Sequence, residues 1–227
     1  MTDIIGRRAL LATATLAPLL ALPGCATMGG GFDLTEAIRR LLGLSAQRAL
    51  SSLMAENGFF DSQVARIALP PQLGGGQATS ILGAILQSTA FRDRLSRSLN
   101  RAAEKGAALA APVVTDVIQG MPIRDVVSIV RGGPTAATTL LQGALGQRLV
   151  ETMIPGIGDG LRLFDSGVVT QALRAATGID ITGLRADVAQ KASDGIYRAI
   201  GREEAAIRAN PSSTGDPLIA AVFGLAR

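Results

Sequence analysis

Residues 183–209, with the sequence GLRADVAQKASDGIYRAIGREEAAIRA, carry a helical pattern that decides the fold class. Apolar side chains recur in this stretch every three or four residues, so they share one face of an α-helix. That face consists of Leu184, Val188, Ala192, Ile196, Ile200 and Ile207. Three pairs with the acid four residues before the base are expected on the outer face: Asp187–Lys191, Asp194–Arg198 and Glu204–Arg208. The pattern predicts a long amphipathic helix that Asp180 caps.

The same period occurs in the middle of the chain and near residue 33. From Phe91 to Gly120, apolar or small side chains fall on one helical face. Pro112 lies inside this run and is expected to kink the helix. Near the amino-terminal end, Asp33 to Glu36 forms a capping box that opens a helix, and Asn57-Gly58 ends it. Both stretches predict long helices with one apolar face.

Proline and glycine predict where the other helices begin and end. Pro122 opens a helix to Val130, and Gly132-Gly133-Pro134 ends it and begins another that reaches Met153. The run from Pro155 to Gly160 is predicted to be a turn, because it contains three glycines. Shorter helices are predicted at about 79–88, 161–176 and 217–224.

Strand-like alternation of apolar and polar residues is confined to a few positions at a time. Alanine is abundant and glycine occurs inside several of the predicted helices, and such small side chains let helices approach closely. We therefore predict an all-α fold. It is a single-domain bundle of about seven to nine helices over residues 33–227, with no sheet.

The first 24 residues have the three parts of an export signal. A charged start at Arg7-Arg8 precedes a short apolar run, and a small residue precedes Cys25, the only cysteine. The ending Leu22-Pro23-Gly24-Cys25 predicts a lipoprotein signal over residues 1–24, with cleavage before a cysteine that receives acyl chains. Residues 25–32 then form the lipidated cysteine and a flexible, glycine-rich tether.

The predicted destination is the outer membrane, on the side that faces the periplasm. Ala26 follows the cysteine, at the position where an aspartate would favour retention in the inner membrane. Arg7-Arg8 also resembles a twin-arginine signal, which would export an already folded protein. General secretion explains these two arginines equally well, so the sequence leaves both export routes open.

Composition excludes several classes of catalytic and metal site. The chain has no histidine, no tryptophan, one tyrosine and one cysteine. Histidine acid–base catalysis, Ser-His-Asp triads and His/Cys metal sites are therefore excluded, and lipidation of Cys25 would leave no thiol nucleophile. The net charge of +4 is mild, and the few aromatic residues give little surface for base stacking, so no nucleic acid partner is predicted. We assign no catalytic residue, no metal ligand and no cofactor.

Several short motifs, in their order and spacing, resemble those of one bacterial family. They are Gly58-Phe59-Phe60, Val64 to Pro70, Leu99 to Lys105, Gly132-Gly133 with Ala136-Ala137-Thr138, Lys191-Ala192 with Asp194-Gly195, Glu203-Glu204 with Ile207-Arg208, and Phe223-Gly224. Over about residues 33–224 the chain thereby resembles the bacterial envelope proteins called domain of unknown function 4197. The resemblance implies an exported helical protein, often a lipoprotein, and it implies no activity because the family has none assigned.

The resemblance also marks a candidate binding motif. Its residues are Asn100, Arg101, Glu104, Lys105, Lys191 and Asp194. The first four lie four apart in two pairs, so on one helix they make two neighbouring polar columns. Such a surface could receive an anionic head group or an acidic partner. The alternative is a solvated or inter-helix ion-pair face, which is the common role of a charge run.

Two functions are compatible with these observations. The first is a non-enzymatic, lipid-anchored envelope module that binds a partner protein or a hydrophobic ligand, and an apolar groove between helices would support it. The second is a carboxylate-based hydrolase of envelope material, which needs two acids in one cleft, with Glu104 as the first candidate. In either case the membrane is a partner through the lipid on Cys25.

Overall fold

The structure, a computed structural model, describes residues 33–69, 84–85, 88–162, 167, 170–171, 174–175 and 180–225. These residues form eight α-helices, one 3₁₀-helix and no strand, which confirms the all-α prediction. The α-helices are α1 (Leu34–Met54), α2 (Gly58–Asp61), α3 (Thr89–Gly120), α4 (Val126–Val130), α5 (Ala136–Leu145), α6 (Arg148–Gly160), α7 (Ile181–Ala209) and α8 (Pro217–Gly224), and the 3₁₀-helix is Pro211–Thr214. The predictions for residues 1–32 lie outside the described residues, and those for 79–88 and 161–176 lie largely outside them.

Helices α1, α3, α6 and α7 surround the main core. Helix α3 packs extensively on α6, and α1 packs on both α3 and α7. Helices α1 and α3 run antiparallel, since Arg39 near the start of α1 bonds to Met121 just after α3, whereas Glu56 just after α1 pairs with Arg101. The buried side chains are mainly alanine, leucine, isoleucine and valine, and the alanines allow the close packing that the composition predicted.

Aspartate side chains cap the first and the last long helix. Asp33 accepts a hydrogen bond from the N–H of Glu36 at 3.0 Å, and Asp180 accepts one from the N–H of Gly183 at 2.7 Å. Each bond satisfies one of the N–H groups that the first turn of a helix leaves free. The predicted caps at Asp33 and Asp180 are therefore confirmed.

Helix α3 continues through Pro112. Proline has no N–H, so the carbonyl of Ala108, four residues earlier, loses its helical partner. Pro112 and Ala108 are both exposed, and water can bond to that carbonyl. The exposed face of α3 thus accommodates a proline without ending the helix.

The glycine-rich run from Pro155 to Gly160 is helical, so the prediction of a turn is wrong. Its glycines lie where α6 presses against α3. A Cβ atom on Gly156 would lie 2.7 Å from the carbonyl oxygen of Lys105, and one on Gly160 would lie 2.5 Å from the Cα of Ala102. Glycine is needed here because the two helix backbones are in contact, and not because the chain turns.

Two other helix boundaries differ from the prediction. The helix expected to reach Met153 is divided into α5 and α6 at Gly146, whose φ of +51° is a left-handed conformation that ends α5. Helix α4 begins at Val126 and not at Pro122, because Asp125 supplies the cap by accepting from the N–H of Ser128.

Candidate functional site

Asn100 is buried and fixes residues 62–69, the segment after α2, onto α3. Its side-chain oxygen accepts from the N–H of Ile67 at 2.8 Å. Its amide nitrogen donates to the carbonyls of Ile67 at 3.1 Å and Ser96 at 2.8 Å. These bonds satisfy the amide within the protein, as is usual for a buried polar side chain. Asn100 thus holds the fold together at this position.

Residues 62–69 also contact α7, where the second half of the candidate motif lies. A Cβ atom on Gly195 would lie 3.0 Å from the Cα of Ala65, so the absence of a side chain lets the segment approach the helix. Arg198 donates through its Nε to the carbonyl of Val64 at 2.7 Å. The segment therefore connects the α3 motif with the α7 motif.

Glu104 and Arg101 lie on α3 beside the start of α2. Partial burial raises the pKa of Glu104, and the nearby Glu56 carboxylate adds to the rise. Hydrogen bonds from the backbone N–H groups of Phe59 and Asn57 act in the opposite direction. Arg101 pairs with Glu56 at 3.5 Å, but both side chains are mostly exposed, so the pair adds little stability. The Glu104 carboxylate thus lies beside the backbone that begins α2.

Of the other three candidate residues, Lys191 and Asp194 have partners on the same helix. Lys191 pairs with Asp187 at 2.7 Å, and Asp194 accepts from Gln190 at 3.0 Å. Lys105 is exposed. Of the six candidate residues, only Asp194 lines one of the three cavities described below.

Two arginines stack on Phe60, next to α3. The Cζ atom of Arg66 lies 3.9 Å from the centre of the ring, and that of Arg97 lies 4.6 Å from it. Cation–π contacts of this kind stabilise by about 0.5–1 kcal/mol at exposed sites. Local sequence does not predict this cluster, because Phe60, Arg66 and Arg97 come from separate segments that only the tertiary fold brings together.

Glu204, on α7, is fully buried and holds the start of α5. Its Oε1 accepts from the N–H of Ala137 at 3.0 Å. Its Oε2 accepts from the N–H of Thr138 at 2.7 Å and from the hydroxyl of the same residue at 2.6 Å. A carboxylate is favourable there, because the first N–H groups of a helix lack intrahelical partners and carry partial positive charge.

Arg208, one helical turn after Glu204, pairs with it and contacts two further helices. Its Nε donates to Glu204 at 2.8 Å, and its terminal nitrogens donate to the carbonyls of Ile129 and Val130 at 3.0 Å each. Its Cζ atom also lies 4.8 Å from the ring centre of Phe223 on α8. The Glu204–Arg208 pair therefore joins α7 to the end of α4, the start of α5 and α8, and three motif segments of the resemblance meet here.

The position of this pair corrects an expectation. Glu204–Arg208 was expected on the outer face of α7, and that prediction is wrong. Glu204 follows Ile200 by four residues, so the apolar stripe itself runs through it. That spacing was the signal available in the sequence. Of the other two pairs, Asp187–Lys191 is confirmed, whereas Arg198 bonds to the backbone of residues 62–69.

A groove of about 540 Å³ lies between α1 and α3. Its apolar lining consists of Ala46, Leu50, Met54, Ala111 and Ile118. Gly43 contributes no side chain to it, and a Cβ atom on Gly43 would have no neighbour within 4 Å. We call this feature the α1–α3 groove. Its volume lies within the range of about 300–1,000 Å³ that is typical of small-molecule sites.

Two arginines lie at the end of the α1–α3 groove nearest the start of α1. Arg40 pairs with Glu36 at 2.9 Å and with Asp216 at 3.3 Å. Arg39 donates to the carbonyl of Met121 at 3.3 Å, and its buried Nε has no hydrogen-bond partner. The groove thus has an apolar stretch and one cationic end.

A second groove, of about 750 Å³, lies between the end of α3 and α5. Val117, Met121 and Leu140 give it an apolar lining, and Gly143 leaves open space beside them. We call it the α3–α5 groove. Arg148 and Asp116 are the charged residues that line it.

A third cavity, of about 650 Å³, is more polar and lies beside Tyr197. Asp194, Arg198 and Arg202 supply charged groups, together with threonine and glutamine side chains. Burial raises the pKa of Tyr197 to about 12, and Asp194 adds to the rise while Ser193 opposes it. The phenol therefore stays protonated at neutral pH.

The described residues contain no group of three or more carboxylate, histidine or cysteine side chains placed to hold a metal ion. Within the same residues, no helix combines the length and the apolar character that crossing a membrane would require.

Comparison with known proteins identifies a family. A family model described as "Protein of unknown function (DUF4197)" matches residues 30–224. No curated protein matches the chain, and neither does any solved structure. The matched range contains every helix given above, and its description names no activity.

Proposed function

The chain belongs to the DUF4197 family, and from that premise we propose that it is a lipid-anchored, non-enzymatic module of the bacterial envelope that binds a hydrophobic ligand. The sequence supports the anchor through Leu22-Pro23-Gly24-Cys25 and the charged start at Arg7-Arg8. In this proposal the acylated protein lies at the outer membrane and faces the periplasm.

The α1–α3 groove is the main observation that supports the binding of a hydrophobic ligand. It has apolar walls over most of its length, and Leu50 and Ile118, which line it, are almost fully buried. A hydrophobic ligand would remove further apolar surface from water there, including Met54, whose exposed fraction is 38%. Burial of apolar surface contributes roughly 25 cal/mol per Å². The groove therefore favours an apolar guest over a polar one.

The alternative hypothesis, a carboxylate-based hydrolase, has weaker support. A carboxylate mechanism needs two acids that converge in one cleft. Glu104, its first candidate, lies beside the backbone that begins α2 and lines none of the three cavities described above. Glu56, the acid that raises the pKa of Glu104, has a side chain that is 78% exposed and pairs with Arg101. We therefore develop only the binding function.

A fluorescence titration tests the proposal. The probe is N-phenyl-1-naphthylamine, a neutral molecule that brightens in apolar surroundings, and the protein is the full-length chain with Cys25→Ser. Gly43→Leu would add a side chain to the lining of the α1–α3 groove, and Gly143→Leu would do the same in the α3–α5 groove. At both positions the new Cβ atom would meet no neighbour within 4 Å.

We expect the probe to bind the otherwise unaltered chain, and Gly43→Leu to weaken binding by about tenfold or more, which corresponds to about 1.4 kcal/mol. Gly143→Leu is the matched control and should leave the affinity unchanged. The proposal fails if the probe does not bind, or if Gly43→Leu weakens binding no more than Gly143→Leu does. It also fails if only Gly143→Leu loses binding.

A further inference from the structure

The two arginines of the α1–α3 groove differ in their partners. Arg40 is held between the carboxylates of Glu36 and Asp216. Arg39 makes no ion pair with any described residue, and its hydrogen bond to the carbonyl of Met121 is long, at 3.3 Å. Its Nε is buried and unbonded. A half-buried cation without a carboxylate loses hydration and receives no compensating charge.

The position of Arg39 relative to the apolar lining gives the second observation. Arg39 and Leu50 lie on the same helix, eleven residues apart, so about 16 Å of helix axis separates them. The apolar lining continues from Leu50 to Met54 at the other end. A ligand that filled the groove would thus meet a guanidinium at one end and, at the other, the apolar side chains of Leu50, Met54 and Ala111 with Ser51 beside them.

We propose that the ligand of the α1–α3 groove is a single-chain amphiphile with an anionic head, and that Arg39 binds the head. The inference rests on the proposed function and specifies its ligand. Guanidinium groups bind carboxylates and phosphates through strong, charge-assisted hydrogen bonds. Glu36, the one carboxylate in the lining, is bonded to Arg40. The chain of the amphiphile would lie along Ala46, Leu50 and Met54.

Displacement of bound N-phenyl-1-naphthylamine by three amphiphiles of equal chain length tests this assignment. The competitors are dodecanoate, dodecan-1-ol and dodecylammonium, each below its aggregation concentration. They are offered to the full-length chain with Cys25→Ser, alone and combined with Arg39→Gln or Arg48→Gln. Arg48 lies on the same helix, is exposed and does not line the groove, so Arg48→Gln controls for the loss of one positive charge.

We expect dodecanoate to bind about tenfold more tightly than dodecan-1-ol, and dodecylammonium to bind most weakly. Arg39→Gln should abolish the preference for dodecanoate and leave the affinity for dodecan-1-ol unchanged, whereas Arg48→Gln should alter neither. Equal binding of the three amphiphiles, or a preference that survives Arg39→Gln, overturns the inference and leaves the hydrophobic-ligand proposal intact. Failure of the probe itself to bind would instead reject the proposed function.

Discussion

At the scale of single residues, Glu204 determines how four helices meet. Its carboxylate accepts hydrogen bonds from the backbone N–H groups at the start of α5. Arg208, which pairs with Glu204, donates to the carbonyls at the end of α4. The carboxylate is fully buried, and the Arg208 side chain is only 11% exposed. A buried ion pair costs desolvation, which good geometry and extra hydrogen bonds can offset. Here the extra bonds come from backbone groups that would otherwise lack partners.

Replacement of Glu204 by alanine should lower the free energy of unfolding by about 3–5 kcal/mol, because it leaves Arg208 without its counter-charge and the donors of Ala137 and Thr138 unpaired. Urea denaturation followed by circular dichroism measures the change. Glu203→Ala removes the same side chain one position earlier, where it is only partly buried, and should change stability by less than about 0.5 kcal/mol. Similar losses in the two variants would show that the buried linkage does not matter.

At the scale of helices, capping aspartates predicted where helices begin, whereas proline and glycine did not reliably predict where they end. Asp33 and Asp180 act as caps because their bonds are local, so the residues nearby decide them. Proline and glycine did not end α6, although Pro155 to Gly160 contains the pattern of a turn. The helix is retained because Leu149, Met153 and Ile157 bury one apolar face against the rest of the bundle.

The glycines of α6 give a prediction at this scale. Gly156→Ala and Gly160→Ala should each lower the free energy of unfolding by about 1–3 kcal/mol, because the new Cβ atom would overlap the backbone of α3. Gly158→Ala is the matched control in the same helix. Its Cβ atom would meet nothing closer than 3.8 Å, so the gain in helix propensity should stabilise by up to about 1 kcal/mol.

Chemical denaturation of the three variants measures these changes. If Gly156→Ala and Gly160→Ala behaved like Gly158→Ala, the close contact between α3 and α6 would not exist in solution.

At the scale of the whole molecule, the proposed anchor is close in sequence to α1. Cys25 lies nine residues before Leu34, the first residue of α1, and α1 supplies most of the groove lining. Each buried CH₂ of an acyl chain contributes about 0.8 kcal/mol, so several chains on Cys25 would hold the protein at a membrane almost permanently. The protein would then meet amphiphiles where they are concentrated.

Metabolic labelling with an alkyne fatty acid tests the anchor. We expect the native chain to take up the label and to sediment with the outer-membrane fraction, because the acyl chains are attached at Cys25. Cys25→Ser should abolish both results, whereas Ala26→Ser, the neighbouring substitution, should preserve them. An unlabelled native chain would refute the lipoprotein assignment, and a labelled chain in the inner-membrane fraction would refute the proposed destination.

The fold class, the caps at Asp33 and Asp180 and most of the long helices were predictable from the sequence, because helical periodicity and capping depend on residues a few positions apart. It indicated the family for the same kind of reason, since short motifs keep their order and spacing. The burial of Glu204, the helical run through Gly156 and Gly160 and the unpaired Arg39 were decided only by the tertiary structure. Each depends on which distant backbone or side chain lies beside the residue, and local sequence carries no record of that neighbour.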